Sequence, residues 1–386
     1  MSVRSPGSSR SPRHRMAPVH VVGIAATQFV PEHDAMLDEL VFEAVHAALR
    51  EAGLRKQDAG LAVTASMDVL DGRSISAGLT VAASGGYLND SYRLEGDSGV
   101  AVNAAAQAVA AGDVEVAIAV GVHNPETRSA DPAGLRAFTE QISNLGFEPV
   151  FDRPVGLTAE IIYGLHASQA VEQGRTSKEA MAAFAAEEIS RGAELERSVR
   201  RNVVSADDVL YSARVAWPLH DLMLPGHSTG AVAVVLASPA RAGRCQGRSA
   251  RITGLGHATG AYTWSAEWLT DVGAPTRRAA EQAYRTAGLD GAESIAYAEL
   301  SAPTPALHAD YLEALGLASS LTPKDVNASG GMRSNYPGLA NGGLRLLETV
   351  EQLERLSGGS RAVSHSVDTL TGSVSEDVTV LVVEAA

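Results

Sequence analysis

The chain has 386 residues, 45% hydrophobic, 20% charged and 5% aromatic, with a formal net charge of −14; it suits a globular protein long enough for two domain-sized cores. The acidic balance argues against tracking a nucleic-acid backbone, which needs a basic face, and leaves only a local basic pocket for one phosphorylated cofactor. One cysteine, Cys245, makes neither an intramolecular disulfide nor a cysteine zinc site, and no run of about 18 apolar residues offers a membrane span.

Residues 1–17 open with MSVRSPGSSRSPRHR, basic and rich in serine and proline. This stretch lacks the apolar core of a signal peptide and reads as a disordered leader, with Met16 rival to Met1 as the start. A β-branched run, Val19 to Ala25, predicts the first strand. Leu37 to Ala52 has helical periodicity and stops at Gly53, and Leu61 to Thr64 reads as a strand. Alternating strands and helices imply an α/β fold with a parallel, doubly wound sheet. A helix opening at Gly99-Val100 leads to a strand at Val114–Val120. Extra material at about 123–225 holds helix-like stretches at Ala159–Glu172 and Lys178–Arg191. Such an insert is expected to cover the site.

The second half repeats the first. Ala48-Leu49-Arg50-Glu51-Ala52-Gly53-Leu54 returns 235 positions later as Ala283-Tyr284-Arg285-Thr286-Ala287-Gly288-Leu289. Arg251 to Gly256 answers the first strand, Ile295–Leu300 answers Leu61–Thr64, and Gly343-Leu344 opens a helix leading to Ala362–Ser364. Matches in the same order indicate an internal duplication. The seam falls near Ser238 to Arg244, giving halves at 18–245 and 246–386. Cys245 lies in this link with no histidine or metal-ligand spacing around it, and reads as an inert thiol.

A duplicated strand–helix unit with glycine-opened central helices resembles the thiolase superfamily. The local text is similar to its sterol-carrier-protein type at Ala104 to Asp113, Val116 to Val122, Ser212 to Leu219, Thr229 to Leu236 and Asn327-Ala328-Ser329-Gly330-Gly331. The resemblance implies a duplicated five-layered α-β-α-β-α fold and a homodimer formed through the sheet of the first half. It also implies a coenzyme A thioester as substrate, with no further cofactor, and a cytoplasmic protein of lipid metabolism. In that family a cysteine in a Cys-x-Ser-Gly pattern attacks the thioester from a helix N-terminus, and a histidine before proline serves as its base. Here the first pattern reads Gly96-Asp97-Ser98-Gly99 and the second Asn335-Tyr336-Pro337. The C-terminal stretch from Ser364 through His365 to Gly372 has no cysteine. Glu299 to Pro303 stands where the family has an Asn/His-Glu/Asp-Ala-Phe element.

Some thiolase-like enzymes use tyrosine to cleave a β-hydroxyacyl thioester by retro-aldol reaction, together with an OB-fold, zinc-ribbon partner. On that resemblance Tyr336 is the expected acid–base, with Asp97 and backbone donors near Gly330 and Gly331 completing the site. Asn335 and His227 are expected near the substrate. Ser98 is either a replacement nucleophile or, with Asp97, a helix cap. His365 is the remaining imidazole near the family's second cysteine. His220 and His227 flank Asp221 on a Pro/Gly-rich loop, a weak metal signal. Met67 to Arg73 reads as a polar turn near the dimer seam, and Gly254-x-Gly256 falls short of a dinucleotide fingerprint. Three functions stay open: an acyl-CoA carbon–carbon bond enzyme without covalent catalysis, of aldolase/lyase type or by non-covalent acyl transfer; a non-catalytic scaffold that binds acyl-CoA, an acyl carrier or an OB-fold partner; and an acetyltransferase-type enzyme using Ser98.

Overall fold

A computed structural model describes residues 15–72, 76–125, 132–248, 250–260, 268–368 and 377–386. The leader through residue 14, Arg73 and the stretch from 369 to 372 lie outside it. Among the described residues, the strands are β1 (Val19–Ala26), β2 (Leu61–Ala65), β3 (Asp90–Leu94), β4 (Val116–His123), β5 (Arg214–Ala216), β6 (Leu219–His220), β7 (Gly230–Ala237), β8 (Ala250–Thr259), β9 (Ile295–Leu300), β10 (Arg361–Val367) and β11 (Asp377–Glu384). The longer helices are α1 (Leu37–Ala52), α2 (Ser76–Ser84), α3 (Ser98–Ala111), α4 (Pro132–Leu145), α5 (Ala159–Glu172), α6 (Lys178–Gly192), α7 (Ala274–Ala287), α8 (Pro305–Ala314) and α9 (Asn341–Leu353). No described helix is long and apolar enough to cross a membrane.

Local sequence explains α1 well. Leu37, Leu40, Val41, Ala44, Val45, Ala48 and Leu49 recur on one buried face. Glu39 accepts a hydrogen bond from the Met36 N–H at 2.7 Å, and Gly53 ends the helix at φ 68°. Gly288 closes α7 the same way at φ 76°, the structural form of the sequence repeat.

Nine strands form one sheet in the order β3-β2-β4-β7-β1-β8-β11-β10-β9. Each half carries the same pairing: β4 is parallel to β2 and antiparallel to β7, as β10 is parallel to β9 and antiparallel to β11. The sheet is therefore mixed, where alternation alone predicts a parallel one. From Val367 to Asp377 the chain is too short for a parallel crossover of about a dozen residues, so β11 returns antiparallel. The halves meet where β1 and β8 pair over Val19↔Ile252, His20↔Arg251 and Val21↔Ala250.

Strand alternation sorts the core into layers. Val116, Ile118, Val120 and Val235 pack outward against α1, while Ala117, Ala119, Val232 and Val234 pack inward against α3 and α9. In the second half Leu381 and Val383 join that inner core, and Val378, Val380 and Val382 face α7. The result is the duplicated five-layered α-β-α-β-α fold, with α3 and α9 in the middle layer.

The two middle helices start head to head. Asp97 caps α3 in the usual way, its Oδ1 accepting from the Gly99 N–H at 2.7 Å. Its Oδ2 accepts from the Gly342 N–H of α9 at 2.9 Å, and the Ser98 hydroxyl oxygen accepts from Gly343 at 2.8 Å. A Cβ on Gly342 would lie 2.1 Å from Asp97 Oδ1, so this approach requires glycine. One carboxylate thus serves two helix N-termini. Asp97→Ala should cost about 2–4 kcal/mol in denaturant unfolding, the size of two lost caps, and Asp97→Asn, which keeps one acceptor oxygen, should cost less. An unchanged unfolding midpoint for Asp97→Ala would contradict the shared cap.

Candidate active site

Three segments converge at one end of β4 and β7. His123 is the last residue of β4, opposite Gly230 of β7. The loop before β7 carries His227. The turn after Gly331 carries Tyr336, locked by backbone bonds on both sides: its N–H donates to Gly226 O at 2.7 Å, and its carbonyl accepts from Ser228 at 3.1 Å. The Tyr336 ring stands edge-on to the His227 ring, centroids 5.3 Å apart, and is buried with Met67, Leu70, Met332 and Leu339. The Met67 to Gly72 part of the polar turn therefore packs its apolar side chains beside Tyr336.

A cavity of about 640 Å³ reaches His227 and is lined by Arg136, Glu140, Glu160, Arg200 and Asp221. Arg136 of α4 forks onto Glu160 of α5 at 2.5 and 2.8 Å and also donates to Asp221. Arg200 donates to the Leu224 carbonyl at 2.8 Å. Burial, then repulsion from Glu160, pushes the Glu140 carboxyl up to about 7, against the pull of Thr158 and Arg136. Burial holds His227 down at about 3, helped by Arg136, His123 and Arg200, so its imidazole is neutral at physiological pH.

The other expected site residues have separate places. Asp97 and Ser98 sit at the double helix start, where burial pushes the Asp97 carboxyl up to about 7 despite bonds from Gly99, Gly342 and Ser366. Gly96 is buried, and among the described residues a Cβ built there would meet only Asp368 Oδ2, at 3.4 Å. Asn335 is structural in its contacts, accepting from the Ser228 hydroxyl and donating to the Arg197 carbonyl, both at 2.6 Å. The Gly330 N–H donates to Asn327 O and the Gly331 N–H to Ser329 Oγ, so both are engaged within the protein. A Cβ on Gly330 would lie 2.4 Å from Glu188 O of α6, and one on Gly331 would lie 2.6 Å from Asn327 Nδ2. His365 is fully buried on the far face of β10, beside Tyr311 and Thr276, because its neighbours Ser364 and Ser366 take the inner face. It is not brought together with Tyr336. His220 turns its Nδ1 to the Ser212 carbonyl at 2.9 Å.

Sequence reading missed His123, Arg136, Glu140 and Glu160. The i, i+4 spacing of Arg136 and Glu140 was a usable signal, since it places both on one helical face. Nothing local marked Glu160 as their partner.

No protein-family model and no curated protein matches the chain. Among solved structures it is similar to one described as "Ltp2-ChsH2(DUF35) aldolase", with a TM-score of 0.76 and 20% identity over 96% of this chain and 98% of that one. That likeness shows the fold, over nearly the whole length of both chains.

The charged cavity makes stability depend on pH. A glutamate in the unfolded chain loses its proton near 4.5, whereas Glu140 in the folded chain keeps it to about 7. Its stabilising contribution is complete below the lower value and is lost as pH rises through the upper one. Glu140→Gln should flatten the decline in unfolding free energy between about pH 5 and pH 8, by at most about 3 kcal/mol. Urea unfolding at both pH values checks this, and an unchanged slope would contradict the raised carboxyl.

Proposed function

We propose that this chain is a thiolase-fold carbon–carbon lyase that cleaves a β-hydroxyacyl thioester by retro-aldol reaction, without an acyl-enzyme. The observation that carries the reading is the edge-on contact of Tyr336 with His227, which itself lines the 640 Å³ cavity, while the nucleophile position is Gly96. Retro-aldol cleavage needs a group to take the β-hydroxyl proton and donors for the enolate oxygen; it needs no nucleophile. The phenol of Tyr336, beside a neutral imidazole, is placed to move that proton. The solved structure named as an aldolase, similar over nearly the full chain, supports the same class.

We extend the proposal to the assembly. The substrate is a coenzyme A or carrier-bound thioester. The homodimer forms along β3, the outermost strand of the first half, which leaves Tyr92 exposed. The similar structure's description names a DUF35 component, which supports an OB-fold, zinc-ribbon partner here. The scaffold reading draws its support from Gly330, Gly331, Asp97 and Ser98, whose polar groups serve internal bonds. Ser98 as a nucleophile is disfavoured by its burial and its bond from Gly343.

Tyr336→Phe should lower kcat for release of an aldehyde or ketone from a 3-hydroxyacyl-CoA by about 100-fold or more, with KM moving far less. Full turnover in Tyr336→Phe would refute the tyrosine's role. Absence of cleavage by the wild-type protein, alone or with its partner, would favour the scaffold.

A further inference from the structure

We propose that His123 is a further catalytic residue of this site, the N–H donor that receives the oxygen of the substrate's thioester carbonyl. This rests on the lyase reading above and assigns the enolate's partner within it.

His123 is 1% exposed, and among the described residues neither ring nitrogen has a hydrogen-bond partner. An imidazole buried this way forfeits about 1–3 kcal/mol per unsatisfied group, so such a group in a native fold calls for an explanation. The chain makes deliberate room for it. A Cβ on Gly338 would lie 2.5 Å from Cγ and Nδ1 of the His123 ring and 2.6 Å from Cδ2, so the ring rests flat against the Gly338 backbone. Gly338 also has φ 45°, a conformation that disfavours a side chain. It follows Tyr336 by two residues, so the same short turn presents the phenol and seats the imidazole. On its other side His123 pairs with Gly230, three residues beyond His227. His123 therefore stands between the two segments that bring Tyr336 and His227 together.

The chemistry suits a neutral imidazole. Burial holds His123 down at about 4, so at neutral pH it carries one N–H and no charge. A neutral imidazole can donate to a carbonyl oxygen that gains negative charge without first giving up a proton. In the step, the substrate's β-hydroxyl gives its proton to the Tyr336 oxygen as the phenol passes its own proton to the neutral His227 imidazole. The hydroxyl oxygen's electrons form the new carbonyl as the Cα–Cβ bond breaks. The electron pair of that bond becomes the thioester enolate, whose oxygen accepts from His123 N–H. The proton then returns from the Tyr336–His227 pair to Cα, releasing a shortened acyl thioester and an aldehyde or ketone. No oxidant, reductant or co-reactant enters.

Binding separates this role from a structural one, using two inert coenzyme A analogues. Acetyl-dethia-CoA keeps the carbonyl with a methylene in place of sulfur; S-ethyl-CoA lacks the carbonyl. Calorimetry on the full chain with any partner bound should show the wild type preferring the carbonyl analogue by about tenfold or more, the size of one buried hydrogen bond. His123→Ala should erase the preference, and His123→Gln, which keeps an N–H donor, should restore part of it. In turnover, His123→Ala should lose kcat rather than raise KM. If His123→Ala keeps the preference, or if the wild type shows none, the assignment of His123 falls. Should wild-type cleavage persist in that case, the lyase reading survives. If the wild type binds neither analogue and cleaves nothing, both fail. His123→Gln and its melting curve guard against misfolding of the alanine variant.

Discussion

One carboxylate holds the middle of this molecule together. Asp97 accepts from the first turns of both α3 and α9. Two helix N-termini, each with a partial positive charge and orphan N–H groups, face each other within the middle helical layer. Without an acceptor between them they would repel and leave buried donors unpaired. Everything that defines the site follows from where these helices begin. Gly96 precedes the cap, Ser98 ties the second helix to the first, and the chain into α9 must pass through Tyr336 and Gly338.

That arrangement also limits the chemistry. A helix N-terminus with free N–H groups and an unopposed dipole would stabilise a thiolate. Here the dipoles are taken up by Asp97, and the residue before it, Gly96, has no side chain. In the proposed reading the reactive groups are a phenol and two imidazoles, the latter held neutral by burial. Neutral donors and acceptors suit proton transfer and enolate stabilisation more than nucleophilic attack. The cavity that His227 lines is charged but balanced, Arg136 bound to Glu160 and Asp221, with the proton of Glu140 still available near neutrality.

Much of the fold was legible because it is encoded locally. The periodicity of Leu37–Ala52 and the stop at Gly53 are properties of that stretch, and the structure places α1 on those residues. Ile295–Leu300 and Ala159–Glu172 likewise form the elements their patterns predict. The duplication was visible because both halves bury the same faces with the same small residues. The site was less legible, because facing and partnership are long-range properties. Ser364, His365 and Ser366 are adjacent in sequence, yet strand parity sends the imidazole to the far face. Gly330 and Gly331 fit a donor role by motif, but packing against α6 requires their conformation for another reason. His123 closes an unremarkable valine-rich strand. Its importance depends on Gly338 lying against it from more than two hundred residues away, which no local pattern announces.

The central claim is enolate chemistry on a thioester without covalent attachment to the protein. It is tested most directly by incubating the protein, with its partner where one is bound, with propionyl-CoA in D2O and weighing both molecules. The account predicts deuterium at the α-carbon of the thioester while the protein keeps its unmodified mass. A protein heavier by an acyl group, or a thioester that gains no deuterium, would contradict it.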